Sequence, residues 1–333
     1  MLGGLLALLS AAAFAFETAT ARRGVVTASV TQALAITVPL GVPIFLVFAA
    51  AFGGLKLIAG FSAEAIACLA AAGVLHFAWG RYCNYRASKA MGANLVAPVQ
   101  QSNMLVTLAL AIWILGEHLT LLRIMGIGLV VLGPALTYDR THHRTPDTIA
   151  GAPIERSKRT IFQPNYAEGY LFALLSSTGY GIRPVLVRLA LENKTLEAGV
   201  AGGLISYAAA AVAFAVVLLL PGQWRHVRAL DRGAAKWFAI SGVCVCFAQM
   251  LRYMALALAP VSVVTPIQRL SLVFRLYFSR IINPQHELFG GRIMAATVVS
   301  LLGALALSVS AEVVQAALPL PDWAKTMLNW RWP

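Results

Sequence analysis

Long apolar stretches separated by short polar connections dominate the chain. A stretch of about 20 apolar residues matches the hydrocarbon thickness of a bilayer, about 30 Å. Ten such stretches are found, at residues 2–19, 29–50, 62–83, 90–114, 118–138, 166–189, 198–220, 233–255, 260–282 and 288–311. They are continuously apolar and rich in Leu and Ala, and lipid accommodates only helices or closed barrels. The pattern therefore predicts an all-α integral membrane protein with ten transmembrane helices.

Matching residues recur between the two halves of the chain at a nearly constant spacing. Gly3 and residues 7–10 return 166 positions later as Gly169 and residues 173–176. A second set returns after 168 positions, where Tyr85, Ala87, Val96, Pro98 and Gln100 correspond to Tyr253, Ala255, Val264, Pro266 and Gln268. A unit of five helices crosses the membrane an odd number of times, so its second copy enters from the opposite side. The pattern predicts two inverted five-helix repeats, a plan common among secondary transporters.

This repeat divides the chain into four segments. They are a first five-helix repeat at 1–138, a polar basic linker at 139–165, a second five-helix repeat at 166–312 and a Trp-rich tail at 313–333. The linker contains several Pro, Arg and Lys residues, which favours a solvated tether. Trp323, Trp330 and Trp332 favour a tail that lies along the membrane interface, with partner docking as the alternative.

Composition supports the membrane assignment and limits the partners. The chain is 59% hydrophobic and only 12% charged, whereas a soluble domain carries about 25% charged residues. The net charge is +13, but the basic residues lie mostly in connections and at helix ends, which favours contact with anionic lipid over nucleic acid. We expect a small-molecule substrate and the lipid bilayer as partners, expect no nucleic acid, and leave a homodimer open. The expected location is a bacterial cytoplasmic (inner) membrane.

The charge distribution also predicts an orientation. The connections after helices 1, 3, 5, 7 and 9 carry most of the Arg and Lys residues. Positively charged connections usually stay in the cytoplasm, so this count places both termini outside. Cys244 and Cys246 have no His or acidic residue nearby, so we expect no metal site.

A short motif in the first half resembles a known family. Residues 115–120 read Leu-Gly-Glu-His-Leu-Thr and are followed by Gly126, which resembles the signature of the EamA-type drug/metabolite transporters in their ten-helix form. The earlier run from Tyr85 to Pro98 is also similar. The resemblance implies transport of a small molecule, drawn from substrates as varied as amino acids, sugars, nucleotide precursors and drugs. It implies that both termini lie in the cytoplasm, opposite to the charge count.

The second half is similar from Tyr253 through Pro266 to Glu287, but it departs from the motif in one place. Residues 283–286 read Asn-Pro-Gln-His where the family has Leu-Gly, and no Thr follows the glutamate. The correspondence of Glu287 with Glu117 is therefore less secure. Each glutamate precedes a predicted helix, so we interpret both as N-terminal caps. A pH-sensitive site with the adjacent His118 and His286 is the alternative.

Polar groups inside a membrane span are costly, so they are the first candidates for a site. Glu17 lies in helix 1, and its counterpart 166 positions later is Arg183 in helix 6. This correspondence suggests a switchable ion pair or a proton-coupled carboxylate. The alternatives are a static buried salt bridge and a position of Glu17 near the water interface.

Helices 4 and 9 each carry a proline beside polar residues. Proline removes a backbone donor and exposes a carbonyl, so we expect helix bends at Pro98 and Pro266 that help to bind substrate. The candidate substrate-binding residues on these helices are Gln100, Gln101, Asn103, Gln268, Arg269, Ser271 and Arg275. Hydrogen bonding that merely packs the helices is the alternative. Pro39 and Pro43 predict a bend in helix 2, either a hinge or a static kink.

Helices 3 and 8 supply the remaining candidates. They are His76, Arg81, Tyr85, Arg252 and Tyr253. The symmetric tyrosines would stack on a planar substrate or gate its exit, or else anchor the helices at the interface. His76 is interpreted as a packing residue or a proton carrier. The candidate arginines outnumber the single acid, which favours an anionic or carboxylate-bearing substrate unless the arginines extend to the headgroups.

These features predict a secondary transporter of a small metabolite that works by alternating access, with export as the favoured direction. No His-Glu-x-x-His, Gly-x-Ser-x-Gly or phosphate-binding motif occurs, so we expect neither an enzyme nor a cofactor, and ATP is not the energy source within this chain. The alternatives are a lipid flippase, a non-transporting membrane scaffold and, last, an intramembrane enzyme.

Overall fold

A computed structural model describes residues 2–115, 119–137, 162–191, 195–259 and 261–309, together with Gln315, Pro321 and Trp323. Within these ranges the structure consists of helices joined by turns, so the prediction of an all-α protein is confirmed there. Most of the predicted linker and tail, and the residues Glu117 and His118, lie outside the described residues.

The first half contains nine α-helices and one π-helical segment within its described ranges. They are α1 (Leu2–Thr27), α2 (Val30–Thr37), α3 (Gly41–Ala51), α4 (Leu55–Ile58), α5 (Ala63–Gly73), the π-helical segment (Val74–Gly80), α6 (Arg81–Met91), α7 (Ala93–Gln100), α8 (Asn103–Leu115) and α9 (Leu121–Thr137).

The second half contributes seven further helices over the residues described. They are α10 (Tyr166–Ala190), α11 (Leu196–Leu218), α12 (Gln223–Arg228), α13 (Arg232–Leu258), α14 (Val261–Arg269), α15 (Ser271–Ile282) and α16 (Gly291–Ser308).

Over the ranges that the structure describes, seven helical runs are long and apolar enough to cross a membrane. They are Leu2–Thr27, Val30–Ala51, Ala63–Met91, Ala93–Ile114, Leu196–Leu218, Arg232–Leu256 and Gly291–Ser308. Each coincides with one of the ten predicted spans. The other three predicted spans correspond to α9, which is apolar but has only 17 residues, to α10, and to the pair α14 and α15. The ten-helix count remains a prediction.

Three of the predicted spans are broken next to a proline. The chain leaves helix between α2 and α3 at residues 38–40, which include Pro39, while Pro43 lies in the first turn of α3. α7 continues past Pro98 and ends at Gln100, and α14 continues past Pro266 and ends at Arg269. After each of these helices the chain turns through i→i+3 backbone hydrogen bonds before the next helix begins. The predicted spans 90–114 and 260–282 are thus broken at matching positions.

The π-helical segment interrupts the third predicted span without ending it, because α5, the segment and α6 form one run. Such wide turns are rare in proteins and often occur at functional sites. Gly73, immediately before the segment, lies so close to the backbone of Ser206 in α11 that a Cβ atom at this position would collide with the Ser206 carbonyl. The close approach brings the segment against α10 and α11.

Several connections meet at one end of the molecule, here called end A. Lys89 Nζ donates to the Ala28 carbonyl at 2.8 Å, which joins the α6–α7 and α1–α2 connections. The amide of Asn165, before α10, donates to the Ala90 carbonyl at 2.8 Å. Ser29 Oγ lies 2.7 Å from His226 Nε2 on α12. The opposite end, end B, contains the first turn of α1, the last turns of α10, α13 and α16, and the start of α9.

The first helix of each half packs against helices of the other half. α1 packs along α13 and also against α14 and α15, while α10 packs along α6 and also against α7 and α8. α9 packs along α16, and α3 packs against α11. An apolar core formed by residues of both halves contains Phe45, Phe77, Tyr207 and Phe238. The interface between the halves therefore involves most of the long helices.

Candidate substrate site

Glu17 lies midway along α1 in a buried polar cluster. Glu17 is only 8% exposed. Tyr85 Oη and Ser241 Oγ donate to Glu17 Oε1 at 3.3 and 3.2 Å, and Thr18 Oγ1 lies 3.2 Å from Oε2. Hydroxyl groups from α1, α6 and α13 thus satisfy the carboxylate, so Glu17 is not at the water interface.

Arg81, in the first turn of α6, lies beside this cluster. Its guanidinium donates to the Thr37 carbonyl at 3.1 Å and to Tyr207 Oη at 3.4 Å. It also lies over the Phe77 ring, 5.2 Å from the centroid, and Phe77 stacks on Tyr207 with 3.8 Å between centroids. Cation–π contacts of this kind are favourable where water is excluded. Arg81 is therefore held by one carbonyl, one hydroxyl and the faces of two rings.

The predicted contact between Glu17 and Arg183 does not occur in this structure. The ion pairs between described residues are Arg22–Glu287 and Arg86–Glu168. Arg183 instead lies over the Phe77 ring at 5.1 Å, and Arg81 is the arginine that interacts most strongly with Glu17. The alternative of a static Glu17–Arg183 salt bridge is therefore wrong, because matching positions in two repeats fix the depth of two side chains but not the directions in which they extend.

A cavity of about 480 Å³ lies next to Arg183, at the junction of the two halves. Its lining residues are His76, Asn103, Met104, Thr107, Leu108, Ala111, Arg123, Tyr180, Arg183, Pro184, Val185, Arg188, Arg252, Thr265, Arg269, Leu307 and Ser308. Five of these described lining residues are arginines and none of them is acidic. The volume falls within the range of pockets that hold small molecules.

Five of the predicted substrate-binding residues line this cavity. They are His76, Asn103, Arg183, Arg252 and Arg269. Tyr180 closes against His76 with 4.4 Å between ring centroids, so an aromatic wall adjoins the guanidinium groups. Thr107 Oγ1 donates to the Gly181 carbonyl at 2.8 Å and joins α8 to α10 beside the cavity. Tyr180 is a site residue that was not among the predictions, because it carries no polarity signal that would distinguish it from a membrane-anchoring tyrosine.

Gln100 and Gln268, which occupy matching positions of the two halves, lie outside the cavity and join helices instead. Gln100 Nε2 lies 3.4 Å from Ser176 Oγ on α10, and Gln268 Nε2 donates to Ser10 Oγ on α1 at 3.2 Å. Each glutamine therefore bonds to a serine of the other half, and neither lines the cavity. Gln101 Nε2 reaches the Ala97 carbonyl of its own helix at 3.5 Å.

The remaining predicted residues lie outside the cavity. Tyr85 bonds Glu17, and Arg81 lies in the aromatic cluster beside it. Tyr253 packs at the edge of the apolar core next to Gly199. Ser271 begins α15, and Arg275 on the same helix interacts electrostatically with Glu17. The structure thus divides the candidates into cavity residues, a Glu17 cluster and residues that join helices.

End A contains a buried ion pair that the sequence patterns did not indicate. Arg22 Nε donates to Glu287 Oε1 at 3.1 Å, and the two side chains are 2% and 0% exposed. Arg22 Nη2 also donates to the His286 carbonyl at 2.6 Å. Arg22 is one of the basic residues counted in the connection after the first predicted helix, where it predicted only membrane orientation. Its role in an ion pair was therefore missed.

Glu287 caps a helix, but not the one that follows it. In the first turn of α7, the backbone N–H of Ala93 donates a hydrogen bond to Glu287 Oε1 at 2.6 Å, and that of Asn94 donates to Glu287 Oε2 at 2.9 Å. The Gly92 φ angle of +89° lets the chain turn just before these amides. A Cβ atom at Gly92 would lie 2.9 Å from Glu287 Oε2. A carboxylate at a helix N-terminus satisfies free amides and the helix dipole, so this contact fixes α7 to the α15–α16 connection.

His286 is half-buried beside the same ion pair. Partial burial, followed by the positive charges of Arg23 and Arg22, lowers the pKa of His286 below its usual range. The ring is therefore neutral at pH 7, which does not favour a pH sensor at this position.

The first part of the chain is similar to a known family. Residues 1–138 match the EamA-like transporter family. The EamA match covers α1 to α9 and is consistent with the drug/metabolite transporter superfamily. Together with seven helices among the described residues that are able to cross a membrane, it supports a multi-pass membrane protein.

A solved structure resembles nearly the whole chain in its fold. A solved structure titled "Crystal structure of protein" is similar to 96% of this chain, which covers 98% of that structure, with a TM-score of 0.51 and 16% identity. At this identity the likeness concerns the fold alone. No curated protein matches the chain.

Proposed function

We propose that this protein is a secondary transporter that moves a small anionic metabolite by alternating access between two inverted five-helix halves. The observation that carries the proposal is the arginine-lined cavity, whose walls include α8 and α9 of one half and α10, α13 and α14 of the other. A cavity at such a junction is where substrate binds in transporters built from repeats. The EamA match supports transport as the activity.

Reciprocal contacts support the inverted repeat. Ser10 and Ser176 are 166 positions apart, and Gln100 and Gln268 are 168 apart. Gln268 bonds Ser10, while Gln100 approaches Ser176. A two-fold relation between the halves predicts such an exchange of partners. The directions agree with inversion, since α1 ends at end A whereas α10 begins there.

The two ends of the molecule support alternating access. End A is closed by the Arg22–Glu287 pair, by the cap on α7 and by Asn283, whose Nδ2 donates to the Ala19 carbonyl at 2.8 Å. The cavity lies towards end B, because Arg188, Ser308 and Arg123 belong to the helix ends found there. Opening of end A requires separation of Arg22 from Glu287. We propose that this pair breaks and re-forms in each transport cycle.

We propose export from the cytoplasm of a bacterium as the direction. With the orientation usual in the resembled family, end B and the cavity face the cytoplasm and can take up an intracellular substrate. The charge count favours the opposite orientation, so a direct measurement is needed. In a variant that lacks the four native cysteines, Arg225→Cys reports end A; labelling of intact cells by an impermeant thiol reagent supports export, and protection contradicts it.

Flux through purified protein in liposomes tests the function. We expect uptake of at least one small anion from a metabolite panel, uptake that Arg252→Gln removes and that Arg225→Gln on the exposed surface of α12 leaves unchanged. Uptake restricted to cations, or equal uptake by the Arg252→Gln protein, would contradict an anion-transporting cavity.

A second candidate, a lipid flippase, is favoured by one observation. A groove of about 590 Å³ lies between α15 and α16 and is lined mainly by apolar residues, including exposed Tyr277 and Met294, with Arg280 on its border. An acyl chain would fit this surface, with an anionic headgroup near Arg280. Transfer of fluorescent phospholipid between leaflets, lost in Tyr277→Arg but retained in Arg252→Gln, would favour the flippase over the metabolite carrier.

A further inference from the structure

Three arginines in the cavity form a concentrated positive site. Arg183 is buried, and Arg252 and Arg269 are half-buried. The positive charge of Arg252 interacts unfavourably with those of both Arg183 and Arg269. Nε of Arg183 and Nε of Arg269 are buried and, within the described chain, have no hydrogen-bond partner. Buried donors normally find acceptors, so these groups point to an acceptor that the chain does not itself provide.

The wider interior does not neutralise this site. Among the described residues, five interior arginines, namely Arg81, Arg183, Arg252, Arg269 and Arg275, accompany one interior acid, Glu17, which gives these six side chains a net charge of +4. Arg22 and Glu287 cancel each other at end A. Uncompensated charge inside a membrane is costly, and a single carboxylate on a substrate would offset only one quarter of it.

The geometry of the guanidinium group indicates which ligand groups the cavity can bind. Each guanidinium presents a planar fork of donors that matches the paired oxygens of carboxylate and phosphate. Several such forks around one cavity suit a ligand with three or more charged acceptor oxygens. A phosphate monoester carries a charge of about −1.5 to −2 at pH 7, and a dicarboxylate carries two carboxylates. His76 Nδ1, buried on the same wall and lacking a partner among the described residues, adds one more polar atom for recognition.

We propose that the cavity selects metabolites with two negative charges, phosphate monoesters or dicarboxylates, over monoanions, and that Arg183, Arg252 and Arg269 bind the dianion. This inference rests on the transporter function proposed above and deepens it. Tyr180 and His76 form the aromatic wall against which the uncharged part of the ligand packs.

Matched ligand pairs test the charge preference by binding, independently of transport. Purified full-length protein is heated with glycerol 3-phosphate or its methyl phosphodiester, and with succinate or its monoamide, while unfolding is followed by tryptophan fluorescence. We expect the dianion of each pair to raise the melting temperature and to bind at least about tenfold more tightly than its partner. Inorganic phosphate serves as a minimal probe of the same chemistry.

Variants show whether the three arginines carry the preference. Arg252→Gln and Arg269→Gln should each weaken dianion binding about tenfold or more, and Arg252→Lys should restore part of it. Arg225→Gln is the control. Binding of glycerol 3-phosphate that weakens about fourfold from pH 7 to pH 5.5, in step with the loss of its dianion, would identify the phosphate dianion as the form that binds.

The outcomes separate the two proposals. Equal stabilisation by dianions and monoanions, no effect of any dianion, or dianion binding unchanged in both glutamine variants overturns the charge selectivity. Flux in liposomes decides the transport function separately, since tight dianion binding without flux would retain this site and contradict the transporter.

Discussion

End A and the cavity both bury arginine, but they differ in what lies opposite the guanidinium. At end A, Arg22 contacts the carboxylate of Glu287, which two amides of α7 also hold. In the cavity, Arg183, Arg252 and Arg269 line a space whose described walls contain no acid. The contrast teaches that the arginines have two roles: one closes the protein on itself, and the others remain available for an anion from outside.

The largest effect is expected from removing the carboxylate at end A. Glu287→Gln leaves Arg22 buried without its counter-charge, and breaking one side of a buried ion pair costs about 3–5 kcal/mol. We expect a marked fall in the melting temperature in detergent. The double variant Arg22→Gln/Glu287→Gln should recover part of the loss, because no unpaired charge remains. Additive losses in the double variant would show that the two side chains do not act as a pair.

A variant of Glu17 tests the acid that lies between the two regions. Glu17→Gln keeps an acceptor for Tyr85 and Ser241 but removes the charge that faces Arg81 and Arg275, an interaction of about 1–2 kcal/mol at the effective dielectric of a protein. We expect normal insertion and a fall in flux of about tenfold. Wild-type flux from correctly inserted protein would remove Glu17 from the transport cycle.

Giving the cavity an acid of its own would make it resemble end A. Asn103→Asp places a carboxylate on the cavity wall, where it competes with a bound anion. We expect the apo protein to be more stable by about 1 kcal/mol and anion affinity to fall several-fold. Competition binding measures the affinity, and Asn103→Ser is the neutral control. An unchanged affinity would mean that ligand anions do not bind near this wall.

The smallest effect is expected where the halves exchange neutral partners. Ser10→Ala and Ser176→Ala each remove a hydrogen bond to a glutamine, worth about 0.5–1.5 kcal/mol, and the two losses should be of similar size. Thermal unfolding of both variants provides the comparison. A loss confined to one variant would argue against a two-fold relation between the halves.

Seven of the ten predicted spans coincide with described helical runs able to cross a membrane, because apolar length is visible in the sequence itself. The breaks beside Pro39, Pro98 and Pro266 were also foreseen, since proline acts on its own backbone. The π-helical segment was not, as an apolar run has the same composition whether its turn is an α or a π turn. Local composition therefore predicted elements and breaks but not the width of a turn.

The candidate site was predicted only in its residue types. Five cavity residues were named because polar groups are rare in spans, yet the repeat spacing wrongly paired Glu17 with Arg183. The Arg22–Glu287 pair joins residues 265 positions apart, and Glu287 was interpreted as a cap for the helix next in sequence. Side-chain direction and long-range pairing depend on tertiary packing, which neither periodicity nor a repeat offset encodes.

Cysteine accessibility at the two ends tests alternating access most directly. In protein without its native cysteines, Ser308→Cys reports the cavity and Ala93→Cys reports the closed side beneath Glu287. The account predicts labelling of Cys at 308 and protection at 93 in the resting protein, with the pattern reversed when Glu287→Gln is added. Simultaneous labelling of both positions within one molecule, or an unchanged pattern in the Glu287→Gln protein, would contradict it.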